Sequence, residues 1–215
     1  MVVDRADSRG SVLVGAGAWA LVVQYFVVLV VVRSAWSTPY SWARNAISDL
    51  GAAECGAFGG RQVCSPWHVA ANVSWVITGL LIVVGAVLVR GAFPPGRLPR
   101  VGLALIAISG ASFVVVGFSP EDTRAVTHTT AALATIALGE IALVVLGLAL
   151  RGRRPLVGWT GITFGVVAMI ALACMLARVG GHGLFGLWER IAAFPILIWL
   201  ILCGTWLLGE RLRAR

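Results

Sequence analysis

Two histidines and two carboxylates, His68, His128, Asp49 and Glu189, are the side chains of this sequence best suited to chemistry at a shared site. Such a set could bind Zn²⁺, which takes imidazole and carboxylate ligands and activates a water when one position stays open. Without a metal, the same groups offer acid–base catalysis. No HxxxH or HExxH pair is present, so spacing assigns no metal and no cofactor. Ser48 could act as a nucleophile with either histidine as base, but no nucleophile-elbow motif surrounds it. Bis-histidine haem binding fares no better, because no attachment motif accompanies His68 or His128.

Around these four lies a set of binding candidates. Arg44, Asn45 and Ser48 stand with Asp49 in the octapeptide Arg44–Gly51, a polar island in an apolar chain. His68, Asn72, Trp75 and Gly79 recur at i, i+4, i+7 and i+11, one face of a helix and a candidate cleft wall. The bland alternative is a histidine in the wet headgroup zone and an asparagine joining two helices. Arg190 follows Glu189, whose place near a helix start also suits the helix dipole. Gln24 and Glu140 fall deep inside apolar runs. An ionisable group there is costly and a functional candidate by default. Glu140 reads as a proton relay or as an internal polar staple, with Gln24, Arg178 or a backbone carbonyl as partner. It lies ~18 Å below His128 on the same helix, too far for one compact site.

The elements that must position these residues are membrane spans. The 215 residues are 59% hydrophobic and 12% charged, half the usual charged fraction of about 25%, and the mean hydropathy is +0.93. Six apolar runs are long enough to cross ~30 Å of hydrocarbon. They are Ser11–Val32, Trp67–Val89, Val101–Phe118, Thr127–Leu150, Leu156–Ala177 and Ile191–Leu208. The expected fold is therefore an all-α bundle of six transmembrane helices. It comprises a segment 1–10, a membrane domain 11–208 and a basic tail 209–215. The first run is too long for a signal-peptide core of ~7–15 residues, so it reads as a retained helix.

All 17 basic residues are arginine, and the net charge is +8. They lie between apolar runs rather than in one patch, which argues against nucleic acid. Eleven fall on the side of the termini and six on the other. Acidic residues sharpen the contrast, to +8 against +1, with intramembrane Glu140 closing the total. The positive-inside rule then makes the termini cytoplasmic. The composition suggests a bacterial source and a plasma-membrane location. Trp36, Trp42, Trp67 and Trp188 fall at the outer boundary, Trp159 and Trp206 at the inner one.

The candidate chemistry gathers outside. The loop 33–66 is 34 residues long, and loops of that length usually carry function or structure of their own. Within it, Tyr40, Ala43, Ile47 and Leu50 recur at helical spacing, so a short helix is expected over 39–50, stopped by Gly51. Cys55 and Cys64 share this loop, and a disulfide and two free thiols both remain open. Gly161 and Gly165 form a GxxxG that could let the fifth span pack closely.

Several of these residues recur in one order. They are Ile47–Gly51, Ser65-Pro66 with Asn72, Gly117-Phe118-Ser119-Pro120 followed by His128, and Glu189-Arg190 before the aromatic-rich last span. In that order and spacing, over residues 15 to 208, the chain resembles the six-helix membrane family catalogued as domain of unknown function 998. The resemblance implies the architecture but no activity. It is similar in architecture to six-helix families linked to lipid handling, and fold alone does not imply function. The favoured reading is a protein that binds or organises membrane lipid or a small amphiphile at an outer-leaflet cleft. The alternative is a lipid-modifying enzyme using the His/carboxylate cluster, and the third is a proton-coupled transporter using Glu140. A protein partner or homo-oligomer stays open.

Overall fold

The computed structural model describes residues 3–213. Residues 1, 2, 214 and 215, and the side chains of 3–9, 211 and 212, fall outside the description. The charges read on Asp4, Arg5, Asp7, Arg9, Arg211 and Arg215 lie there. Seven α-helices follow one another: α1 (Val3–Leu21), α2 (Gln24–Ser34), α3 (His68–Leu88), α4 (Arg97–Gly117), α5 (Ala125–Leu150), α6 (Pro155–Leu176) and α7 (Phe185–Arg213). Six spans are long and apolar enough to cross a membrane, the first comprising α2 and most of α1. The chain is a polytopic integral membrane protein.

The first span tightens in its middle. Val22, Val23, Tyr25 and Phe26 donate to carbonyls three residues back, a local 3₁₀ turn of the kind that marks hinges or strain. Gln24 sits at this break and is held by α3. Its Nε2 donates to Thr78 Oγ1 at 2.6 Å and to Ser74 O at 3.2 Å, and its Oε1 accepts from Ser74 Oγ at 2.9 Å. Gln24 therefore does not partner Glu140.

Each helix packs on its neighbour, and α7 closes the ring against α1. In lipid this packing has little hydrophobic drive, so close approach of small residues matters. Gly161 and Gly165 of α6 face α5. A Cβ on Gly161 would lie 3.0 Å from Leu143 O, and one on Gly165 would lie 2.7 Å from Glu140 O. Many large apolar side chains, among them Val27, Val73, Leu80, Ile108 and Ile170, are exposed around the ring. That is the outer face of a bundle solvated by hydrocarbon.

Between α2 and α3 the chain forms a cap over one end of the ring. The helix expected over 39–50 is not there; only Ser48–Gly51 coils, as one 3₁₀ turn. Asn45 through Ala52 are consecutively buried, which no one-sided helix would allow. A two-stranded antiparallel hairpin follows, β1 (Gly56–Phe58) and β2 (Arg61–Val63). Its two-residue turn, Gly59-Gly60, has φ of 54° and 77°, the double positive φ of a type I′ turn that favours glycine. The Cys55–Cys64 disulfide closes the base of the hairpin.

Candidate functional site

The buried stretch Asn45–Gly51 is irregular backbone set into the mouth of a helical bundle. At that depth each N–H and C=O needs a partner within the protein. Polar side chains of the cap and the helices supply them. Asn45 Oδ1 accepts from Ser41 N at 3.0 Å, and Asp49 Oδ2 accepts from Ala46 N at 2.9 Å. Glu189 Oε2 accepts from Ile47 N. Ser65 Oγ donates to Leu50 O at 2.7 Å, and Asn72 Nδ2 donates to Gly51 O at 2.9 Å. Arg190 Nη1 donates to Asn45 O at 2.6 Å, Gly186 O at 2.8 Å and Trp42 O at 2.9 Å, while its Nη2 donates to Tyr40 Oη. Two glycines make the fit possible. A Cβ on Gly51 would overlap the Trp75 ring and Asn72 Oδ1, and one on Gly186 would collide with Asn45 O.

Asp49 anchors this plug. It is 0% exposed, and every group bonded to it is a donor. Arg61 approaches with two nitrogens, Nη2 to Oδ1 at 2.6 Å and Nε to Oδ2 at 2.9 Å. Asn45 Nδ2 adds 3.1 Å. The two-point approach suits the planar guanidinium. Arg61 is itself buried, with its guanidinium carbon 5.1 Å from the Phe185 ring centre. Glu121, from the α4–α5 turn, places Oε1 3.9 Å from Arg61 Nη2. Burial pushes the Glu121 carboxyl up to about 9; hydrogen bonding to Asp49 and the Asp49 charge push the same way, and the Ser48 hydroxyl opposes them. One arginine thus serves one carboxylate, with a neutral carboxyl alongside.

Beneath the plug lies a cavity of about 60 Å³. Ile47 and Ser48 roof it, and α2, α3, α4, α5 and α7 wall it; α6 contributes nothing. The walls are mostly apolar: Trp75, Ile82, Phe113, Val116, Ile136, Ile196 and Leu197. Among the polar groups of the lining residues, Tyr25 Oη, Glu189 Oε1 and His128 Nε2 have no hydrogen-bond partner among the described residues. His128 is buried, with Nδ1 2.6 Å from Ser119 O. A carbonyl only accepts, so Nδ1 carries the proton and the neutral ring keeps Nε2 as an acceptor.

The structure gathers Glu189, His128, Ser48 and Trp75 on this cavity. It puts Asp49, Asn45, Asn72 and Arg190 into the plug and its fastenings. His68 is apart, its Nδ1 on Ser65 O at 3.0 Å. Arg44 is exposed. The four-residue cluster of Asp49, His68, His128 and Glu189 is therefore split, and no three His, Cys, Asp or Glu among the described residues gather as metal ligands. Glu140 is 1% exposed and neither oxygen has a hydrogen-bond partner among the described residues; Arg178 is exposed. The staple reading thus lacks its staple. Sequence reasoning missed Tyr25, Arg61 and Glu121. Gly59-Gly60 between short strands was the available sign of the hairpin that carries Arg61; Tyr25 and Glu121 had no comparable signal.

A family model described as "Protein of unknown function (DUF998)" matches residues 13–206, and the chain belongs to that family. No curated protein and no solved structure matches it.

Proposed function

We propose that this member of the family binds a small amphiphile in the roofed cavity, polar end against Tyr25, His128 and Glu189. The carrying observation is that Tyr25 Oη, Glu189 Oε1 and His128 Nε2, each without a hydrogen-bond partner among the described residues, belong to residues lining one apolar cavity. Buried polar groups are normally bonded, so exceptions call for an explanation. Neutral His128 Nε2 is an acceptor, and Tyr25 Oη can donate or accept, which favours a head group that donates: an amine or a hydroxyl. A cavity of 60 Å³ holds about two waters at ~30 Å³ each. Ligand pockets run to roughly 300–1,000 Å³. Anything larger than a head group therefore lifts the plug, and the plug acts as a lid. The arginine asymmetry supports placing the lid on the outside and the termini in the cytoplasm of a bacterial plasma membrane.

The test is a thermal-shift titration of purified protein with decylamine, decanol and decanoate. The amine and the alcohol are expected to stabilise the parent, decanoate not, and Ala132→Trp, which fills the cavity, to lose the response. Equal shifts in parent and filled variant would overturn the proposal. A second reading rests on His128, whose Nδ1 contact with Ser119 O leaves Nε2 free on the cavity that Glu189 also lines. That pair could act as base and acid on a bound lipid ester. Turnover of a lipid panel that disappears in His128→Gln, with binding kept, would select it.

A further inference from the structure

The end of the bundle opposite the plug carries a larger recess. A groove of about 740 Å³ runs between the end of α3 and the start of α4. Its floor is made by small or apolar residues, Val87, Leu103, Ala104 and Ala107 among them, and Arg90 and Arg100 stand on its rim. Both arginines are exposed, and neither guanidinium has a hydrogen bond or ion pair among the described residues. Arg154, at the same end, is by contrast paired with Glu210. Among the described residues, no acidic side chain lines the groove.

We propose that this groove is a binding site for an anionic phospholipid. The phosphate would sit between Arg90 and Arg100, and the upper part of an acyl chain along Leu103, Ala104 and Ala107. Charge decides the head group: two guanidiniums lining one recess, without an ion pair among the described residues, favour a phosphodiester with net negative charge over a zwitterion. The apolar floor decides for a lipid over a free anion, because a phosphate ion would leave it uncovered. The volume is in the range of ligand-sized pockets. Alanines supply the space; larger side chains there would close it.

Native mass spectrometry of the purified full chain, titrated with phosphatidylglycerol or phosphatidylcholine of equal chain length, tests the site. The parent is expected to retain phosphatidylglycerol in preference. About 1 kcal/mol per arginine near an anionic surface is roughly fivefold in affinity, so Arg90→Gln with Arg100→Gln should weaken that retention about thirtyfold. Arg97→Gln with Arg151→Gln removes two arginines that do not line the groove and should leave most of it. Ala104→Phe fills the floor without touching charge and should also weaken binding. Equal retention of the two lipids overturns the proposal. So does an equal loss in the Arg97/Arg151 variant, which would mean surface charge only. Competition by millimolar inorganic phosphate as strong as by lipid would mean a free-anion site, again overturning it. Circular dichroism on each variant verifies that lost binding is not lost fold.

Discussion

Asp49→Asn is predicted to cost less stability than its burial suggests, because Glu121 is positioned to replace the lost charge. Removing one partner of a buried ion pair typically costs about 3–5 kcal/mol, since the other charge is left uncompensated. Here Arg61 Nη2 is already 3.9 Å from Glu121 Oε1. Glu121 holds its proton up to about 9 chiefly because it is buried, and in part because of Asp49. Taking away the Asp49 charge lowers that value, Glu121 ionises, and Arg61 regains a carboxylate. The double variant Asp49→Asn/Glu121→Gln has no such recourse. Its cost should exceed the sum of the single variants by about 1–3 kcal/mol, the usual range for directly interacting groups. Glu121→Gln alone should change little at pH 7, since an amide replaces a carboxyl that is already neutral. The assay is equilibrium unfolding in mixed detergent micelles, with all four proteins at pH 7. Additive costs within about 0.5 kcal/mol would refute the reasoning, and would mean that Glu121 cannot reach Arg61.

The same carboxyl sets a pH dependence. Glu121 is raised in the folded state, so the folded chain binds the extra proton, and stability falls as pH rises from about 4.5 to about 9. Thermal unfolding of Glu121→Gln should lack that part of the slope. Arg190→Lys removes the fork that holds three carbonyls and Tyr40; hydrogen exchange should rise over residues 42–47 and stability fall by about 2–4 kcal/mol. Gly51→Ala should cost about 1–3 kcal/mol by overpacking against Trp75, read by thermal unfolding. Glu140→Met should be neutral or stabilising by about 1–2 kcal/mol, because a buried carboxyl without hydrogen bonds is replaced by an apolar chain of similar size; a marked loss in the same assay would restore the polar-staple reading.

The six spans were legible in the sequence because the signal is local and redundant: some twenty apolar residues in a row cross hydrocarbon whatever they pack against. The break at Val22–Val23 was not, because nothing in a valine-rich run announces a 3₁₀ turn. Its position is tied to Gln24 finding Ser74 and Thr78, fifty and more residues away. The site was legible by residue type but not by partner. Asp49, Glu189, Asn72 and Arg190 stood out as polar groups in apolar surroundings, and all four turn out to bond the plug. Arg61 was counted only towards topology, since its importance follows from a hairpin that swings it back onto Asp49.

The error over 39–50 shows why periodicity misleads in such a segment. Tyr40, Ala43, Ile47 and Leu50 have helical spacing, yet the polar residues between them offer the backbone other partners. Asn45 takes the Ser41 N–H and Asp49 takes the Ala46 N–H, the local side-chain competition that disfavours Asn and Asp inside helices. A helix would have satisfied its own backbone and freed those side chains. The plug instead needs them, together with Glu189, Ser65, Asn72 and Arg190, to make irregular backbone tolerable inside the mouth of the bundle. A segment that only had to fill space could have been an apolar helix. One whose fastenings are side chains from α3, α7 and the hairpin can be released by breaking them, with a cavity bearing unpartnered polar groups underneath. This dependence on removable bonds is the property a lid requires, and it predicts that variants of Arg190 and Asp49 alter ligand exchange before they alter the helical core.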